Sequence, residues 1–500
     1  MAVKRNILAG WAAHLVTVLI GFFLMPFILG MMGDSRYGAW LLVNAIAGYS
    51  GLIYAGFGAT ICRYVADSSA RKEWERLNQF VSSIQAVYYG TASLVLLATG
   101  ICVAAAPYMG TWDGVPLWEV RAAMAILGCT IALGMVASVF GGVLVGTQQL
   151  HVKRAIEVTC GVLRGGLTVL LLRGDWGLVT LSGIFLSVTV LEHGLSAWFA
   201  YRHLPSLSVS PRHVSRAVLN ECFSFSAFNA IALFAEYLIY FTDTIVIGFV
   251  LGPAAIVPYQ IGLRIAQMIQ MPITQVGEAI LPRAGELAAG MDRSELGRLV
   301  TKAMGLATLL AGGFLVGGAY FGDFLVTTWI GKSYTDTHTV MCLLLATQLV
   351  AMPMVIVRKA LLGSGEVRVP AFIDLLEAVL NLVLSLILIH FLGIVGVAIG
   401  TLVPLLVVET FVLLPFAMRR LHMRRKDLQR QVIHNVLPCL VALTVYCEVV
   451  HKFVPLQGWA TLIAVTAGGG AVLLSVRALI HWFGRTAPPI SVPHEQSIVS

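Results

Sequence analysis

The chain is 500 residues long, 58% hydrophobic and only 12% charged, with 33 Lys and Arg against 25 Asp and Glu. A soluble domain usually carries about twice that share of charge, so the composition excludes a water-soluble globular protein and points to one that lives in a bilayer. The net charge of +8 is accounted for by membrane topology and attraction to anionic lipid, and no nucleic-acid partner is expected.

Taken in chain order, the hydrophobic pattern predicts fourteen apolar spans. They lie near residues 7–30, 38–62, 80–106, 120–146, 155–172, 178–200, 223–250, 256–281, 300–322, 338–362, 370–392, 394–418, 435–452 and 458–481. Each is about long enough to cross a hydrocarbon core of roughly 30 Å as a helix rising 1.5 Å per residue. The first follows Lys4 and Arg5 but runs on without a small-residue cleavage site, so it reads as a retained span rather than a secretory signal.

Alternate loops are basic. With the amino terminus inside, all but Arg36, Arg121, Arg173, Lys332, Lys452, Arg164 and Arg264 of the 33 Lys and Arg fall in interior loops. The first five of these exceptions lie on the outer side, and the last two lie within spans. The positive-inside rule therefore predicts that both termini are cytoplasmic.

The proline-bearing polar segment 201–222 reads as a cytoplasmic linker between an N-terminal six-helix lobe, 1–200, and a C-terminal six-helix lobe, 223–418. Residues 419–481 hold a basic segment and two further helices, and 482–500, with Pro488, Pro489 and Pro493, is expected to be disordered. Because six is even, the two lobes would enter the membrane in the same direction, as parallel repeats with a substrate cleft between them. MGDSRYG after the first span and LGPAAIVPY after the seventh share a Gly followed shortly by a Tyr. Small residues recur at helical spacing, as at Gly142 and Gly146, Gly161 and Gly165, Gly313 and Gly317, and Gly396 and Gly400, which predicts close helix packing. Pro26, Pro272, Pro353 and Pro404 lie inside spans and are expected to kink them.

A charge at the centre of a span costs on the order of 2.5–3.5 kcal/mol, so each needs a partner, a wet cavity or a function. The eighth span carries Gln260, Arg264, Gln267, Thr274 and Glu278 at offsets that share one helical face, either lining an aqueous cavity or joining helices. The fifth carries Glu157 and Arg164, seven residues apart, as an ion pair or as an anion site. The seventh carries Glu236, Tyr240, Asp243 and Thr244; the eleventh carries Asp374, Glu377, Asn381 and Ser385. Carboxylates beside neutral oxygens are what a sodium or proton site requires, although acids near the end of a span also cap or pair there. No nucleotide-binding GxxxxGK[ST] loop occurs, so transport would be driven by an ion gradient or by downhill flow, and no cofactor or enzymatic activity is expected.

Residues 6–66, the stretch TDTIVIGFVLGPAAIVPYQIGLRIAQM and the stretch ALLGSGEVRVPAFIDLLEAVLNLVLSLILIHFLGIVGVAIGT resemble polysaccharide transporters of the O-antigen flippase type. Glu377, Asn381, Ser385, Gly393, Gly396, Gly400 and Thr401 match the usual pattern of that family. The resemblance implies an all-α integral membrane protein of fourteen transmembrane helices, with two six-helix lobes in a V and two C-terminal helices, within the multidrug, oligosaccharidyl-lipid and polysaccharide exporter superfamily. It implies a flippase that moves a polyprenyl-diphosphate-linked oligosaccharide across a bacterial inner membrane, with membrane lipids and glycan-assembly proteins as neighbours. It also implies a sodium or proton site at Asp243, Asp374 or Glu377, Asn381 and Thr401. Arg164 and Arg264 would hold the diphosphate, Gln260 and Gln267 would line the sugar's path, and Arg63 and Arg358 would stand near the cytoplasmic mouth. A cation-coupled multidrug exporter of the same architecture and a non-transporting scaffold of a glycan-assembly complex are the rival expectations.

Overall fold

The computed structural model describes residues 2–49, 57–110, 112–173, 176–216, 218–219, 234, 237–238, 241–290 and 293–486. Every regular element among them is helical. In order these are α1 (Ala2–Gly48), α2 (Phe57–Arg71), α3 (Trp74–Ala105), α4 (Leu117–Gly146), α5 (Leu150–Leu171), α6 (Gly177–His203), α7 (Phe241–Val250), α8 (Ile256–Gln267) and α9 (Gln270–Ala289). They continue with α10 (Arg293–Ile330), α11 (Thr337–Gly363), α12 (Arg368–Val408), α13 (Leu414–Arg420), α14 (Arg425–Arg430), α15 (Leu437–Phe453) and α16 (Gly458–Thr486).

Among the described residues, nine helical stretches are long and apolar enough to cross a membrane. The difference from fourteen has local causes. The stretch Arg368–Arg420 is 53 residues long, which as one rod would measure about 80 Å, more than twice a hydrocarbon core. It is two helices: Gly393 sits at φ 59°, ψ −138° inside α12, at the boundary predicted between the eleventh and twelfth spans. Gly33, at φ 73° and ψ 172°, divides α1 in the same way. The fifth predicted span, α5, carries Lys153, Arg154, Glu157 and Arg164, which is too much charge for an apolar stretch. Of the seventh, only α7 is a continuous described helix; Glu236 and Tyr240 lie outside the described residues.

The eighth predicted span is interrupted. Pro272 has no N–H for the Met268 carbonyl, and its ring would press on that carbonyl. Helix α8 accordingly ends at Gln267 and α9 begins at Gln270, with the Met268 N–H donating to the Ile265 carbonyl at 3.2 Å. Helices α1, α11 and α12 run on through Pro26, Pro353 and Pro404. Two π-helical turns, Glu409–Leu413 and Gln431–Val436, each end two residues before a proline, Pro415 and Pro438, so the helix widens where the ring would crowd the preceding turn.

The chain divides into two compact units. The first comprises Met1–Ile261 with Arg368–Pro404, and the second Gly262–Val367 with Leu405–Ser500. In the first, α4 lies against α6, α3 and α2, and α1 against α5. Gly142 and Gly146 admit Ile61 and Val65 of α2, and the core holds Phe80, Ile84, Tyr88 and Val143, all essentially inaccessible. Part of the predicted linker is fastened to α3. The Asn78 amide donates to the Ser206 carbonyl and accepts from the Ser208 N–H, each at 2.9 Å, while Ser82 and Ser83 accept from the N–H groups of Ser210 and Ser215. In the second unit, α11 packs on α10 and α9, and α15 on α16 and α10.

The two arms of α12 form an antiparallel hairpin. Ser385 and Gly400 would be about 22 Å apart on a straight helix, yet a Cβ placed on Gly400 would stand 2.7 Å from the Ser385 nitrogen, and one on Gly396 would overlap the Leu388 carbonyl. Gly161, by contrast, has nothing within 4 Å of such an atom. Gly400→Leu is therefore expected to cost about 1–3 kcal/mol by overpacking and to lower the unfolding temperature of the detergent-purified protein. Gly161→Leu, run alongside, should leave that temperature unchanged.

Candidate functional site

Three consecutive polar residues of α7, Thr242, Asp243 and Thr244, are buried, with 5%, 5% and 3% exposure. Successive residues of a helix point about 100° apart, so the three side chains reach different neighbours. Thr242 meets the hydroxyl of Tyr49, the residue after α1, at 2.5 Å. Asp243 Oδ2 accepts from the hydroxyls of Tyr259 on α8, at 2.6 Å, and Thr401 on α12, at 2.9 Å. Thr244 accepts from the Gln260 amide of α8 at 2.7 Å. Asp243 Oδ1 is buried and accepts no hydrogen bond among the described residues. A buried oxygen left so costs about 1–3 kcal/mol, which makes it an acceptor ready for a proton or a hard cation.

The first arm of α12 presents Glu377, Asn381 and Ser385, all buried, on one face, with Leu380, Val383 and Ile387 exposed on the other. The hairpin contacts at Leu388–Gly396 and Ser385–Gly400 place Asn381 beside the turn that holds Thr401 and Pro404. Asn381 Oδ1 is, like Asp243 Oδ1, buried and without a hydrogen-bond partner among the described residues. Of the two acids left open by the sequence, Glu377 is buried and Asp374 only half-buried. The structure thus joins Asp243 to Thr401 directly and sets Asn381 on the neighbouring turn, with hydroxyl, amide and carboxylate oxygens throughout. Tyr49 and Tyr259 are members of this constellation that sequence reasoning missed.

The turn that precedes α8 is built to hold Tyr259. Gly252 adopts φ 92°, which places its Cα beside the Asp113 carboxylate, and that carboxylate accepts from the Ala254 N–H at 2.9 Å. Gly38 of α1 lies directly on the Pro253 carbonyl, where no side chain would fit. Nearby, the fully buried Glu119 of α4 accepts from Arg36 at 3.3 Å and from the Leu178 N–H at 3.2 Å, joining α1, α4 and α6.

The arginines separate by their partners. Arg164 is paired with Glu192 of α6 at 3.6 Å and lies over the Phe185 ring at 4.7 Å; Glu157, expected to balance it, instead pairs with Lys153 and Arg154. Arg358 is ion-paired with Glu409, which is 1% exposed at the first π-helical turn. Arg63 is exposed on α2, 5.9 Å from the Tyr64 ring centre. Arg264 is exposed on α8 with no ion-pair partner among the described residues, and Gln267 is half-buried one turn on. The expected five-residue polar face is corrected: Thr274 and Glu278 belong to α9, beyond the Pro272 interruption, where Thr274 bonds the Gln270 carbonyl and Glu278 pairs with Lys359 at 2.5 Å.

Comparison with known proteins follows the same line. The model of a family described as polysaccharide biosynthesis protein matches residues 3–288, and a second, described as MatE, matches 229–387. Membrane protein EpsK of Bacillus subtilis, itself uncharacterized, is 23% identical over 477 residues, 92% of this chain and 91% of its own. A Haloferax volcanii protein named probable low-salt glycan biosynthesis flippase Agl15 is 23% identical over 198 residues, 40% of this chain and 42% of its own. Among solved structures, the inward closed conformation of the lipid II flippase MurJ superposes with a TM-score of 0.68 at 13% identity, covering 96% of this chain and 99% of that one; this likeness is one of fold.

Removing either hydroxyl from Asp243 should be measurable. Tyr259→Phe and Thr401→Val are each expected to destabilise the purified protein by about 1.5–3 kcal/mol, the range for hydrogen bonds to charged groups. Because both bonds end on one oxygen, the double variant should depart from additivity by at least about 0.5 kcal/mol in thermal or denaturant unfolding.

Proposed function

This chain belongs to the polysaccharide biosynthesis protein family, and we propose that within it the protein is a flippase for a polyprenyl-diphosphate-linked oligosaccharide. It carries the glycolipid from the cytoplasmic to the outer leaflet of a bacterial inner membrane by alternating access, as a transporter and not an enzyme. The family match and the fold likeness support the resemblance read from the sequence. In this reading the chain crosses the membrane fourteen times with both termini inside, two six-helix lobes open alternately to either side, and the last two helices are appended. The breaks at Gly33 and Gly393 support the division into shorter spans.

The observation that carries the substrate class is Arg264. An arginine kept on an apolar helix costs on the order of 2.5–3.5 kcal/mol unless water or an anion meets it, and Arg264 is exposed with no acid beside it among the described residues. A diphosphate supplies that anion. Arg164 is the second ligand, already partly balanced by Glu192, and Gln260 and Gln267 offer amides to the sugar. Arg63 and Arg358 rank lower, Arg358 because Glu409 already neutralises it. In a transport assay with the full chain reconstituted in vesicles, Arg264→Ala should lower flipping of a labelled prenyl-diphosphate glycolipid at least tenfold. Arg264→Lys, which keeps the charge but loses the planar fork, should retain part of it; wild-type flipping by the alanine variant would refute the assignment.

The residues present fit a coupling cation, sodium or a proton. Asp243, Glu377, Asn381 and Thr401 would hold it, and the open oxygens Asp243 Oδ1 and Asn381 Oδ1 support this. One charge moved across 100 mV is worth about 2.3 kcal/mol, which is enough to bias the cycle. Asp243→Asn keeps the size and removes the charge, and is expected to abolish the dependence of flipping on sodium or on pH while the protein remains folded. The match of the MatE model over residues 229–387 favours a second reading, export of cationic drugs. Drug efflux by the reconstituted chain with no glycolipid flipping would select it.

A further inference from the structure

A second site is built wholly from residues of the second unit. In the second unit, α10, the π-helical turn Gln431–Val436 and α16 enclose a pocket of about 720 Å³. One end is cationic, with Lys302, Arg477 and His481; the floor is apolar, with Leu306, Leu309, Val436, Leu474 and Ile480. Leu309 and Val436 belong to a buried cluster with Cys439, packed by Ile480, so this part of the floor is formed core, while Leu474 is 71% exposed.

The polar wall is arranged. Gly305 has no side chain where the Gln431 amide packs, and a Cβ there would meet the Gln431 side chain at 2.5 Å from Cγ. The Gln431 carbonyl oxygen accepts from the Asn435 amide at 2.7 Å, which leaves the Gln431 amide nitrogen as the donor turned to Gly305 and the pocket. Lys302 and Arg477 are exposed and have no ion-pair partner among the described residues. From Lys302 to Leu309 the lining passes from charge to hydrocarbon over seven residues, about 10 Å along α10. The same end of the unit carries the basic cluster Arg419–Arg430: Gly297, two turns before Gly305, packs against the Leu421 and His422 carbonyls between α13 and α14.

A cationic rim above an apolar floor, at one end of membrane helices, matches an anionic amphiphile. We propose that this pocket binds the phosphate headgroup of a membrane phospholipid, with Lys302, Arg477 and His481 on the phosphate and an acyl chain over Leu309, Val436 and Leu474. The site is independent of the transported substrate and would tie activity to the anionic lipid content of the bilayer. A single juxtamembrane Lys or Arg is worth about fivefold in affinity for an anionic surface.

The test uses the full chain in detergent, titrated with phosphatidylglycerol, phosphatidylcholine or glycerol 3-phosphate, with bound lipid counted by native mass spectrometry. Phosphatidylglycerol should bind in preference to phosphatidylcholine. Lys302→Ala and Arg477→Ala should each weaken that binding about fivefold, and the double variant should abolish the preference. Lys426→Ala, on α14 outside the pocket, should leave it unchanged. All these positions are exposed, and elution of the variants as monodisperse protein on size exclusion would show that folding is intact. Equal binding of the two lipids, or an undiminished preference in the double variant, would overturn the proposal. So would full competition by glycerol 3-phosphate at equal concentration, which would assign the pocket to a soluble phosphate compound.

Discussion

Hydrocarbon offers no hydrogen bonds, so each polar group this chain buries must be met by another part of the chain, by water in a cavity, or by something carried. That constraint orders the molecule. Glu119 is met by Arg36 and the Leu178 N–H, Glu409 by Arg358, and Glu192 by Arg164. Asn78, Ser82 and Ser83 are met by the backbone of 206–215. Some buried side-chain atoms among the described residues still find no hydrogen-bond partner. Asp243 Oδ1 and Asn381 Oδ1 lie in the first unit, and Arg264 stands exposed on α8. The first two belong to the residues proposed to hold a cation.

Backbone irregularity is placed by the same chemistry. The hairpin at Gly393 closes because Gly396 and Gly400 let one arm lie on the other's backbone, and this close contact brings Thr401 to Asp243 from one side while Tyr259 comes from the other. The interruption at Met268–Ile269 follows from one missing N–H at Pro272. A straight helix there would have placed Glu278 on the face of Arg264 but about 21 Å along it; Glu278 pairs with Lys359, and Arg264 has no ion-pair partner among the described residues.

Much of this was legible in the residues themselves. The boundary between the eleventh and twelfth spans followed from hydrophobic period, and the grouping of Asp243 with Thr401 in one cluster was implied by the family resemblance. What was not legible is cross-helix pairing. Arg164 was weighed against Glu157, its neighbour in sequence, whereas its partner is Glu192, 28 positions away on α6. Glu409 likewise pairs with Arg358, 51 positions back. Helical periodicity says which residues share a face but nothing about which face is opposite, and an ion pair is a statement about the opposite face. Proline carried the remaining error, since the offsets from Gln260 to Glu278 hold only for an unbroken helix.

Helix α8 is where the two proposed sites come mechanically together. Tyr259 and Gln260 fasten its first half to Asp243 and Thr244 on α7, and Arg264 follows one turn later, about 6 Å along the axis. A cation or proton at Asp243 competes for the carboxylate that Tyr259 now donates to, so occupancy there acts on the hold over α8. A ligand can shift a conformational equilibrium only by its differential affinity for the two states. In the proposed reading the difference would have a physical origin: Tyr259 and Thr401 donate to the Asp243 carboxylate, and neutralising its charge would weaken both bonds. Arg264, carried on the same short helix that the Pro272 interruption ends three residues later, is then free to change its surroundings without bending α9. In the proposed reading, coupling of ion to anion would run through one twelve-residue helix, with Tyr259 and Gln260 at its start and Arg264 one turn further on.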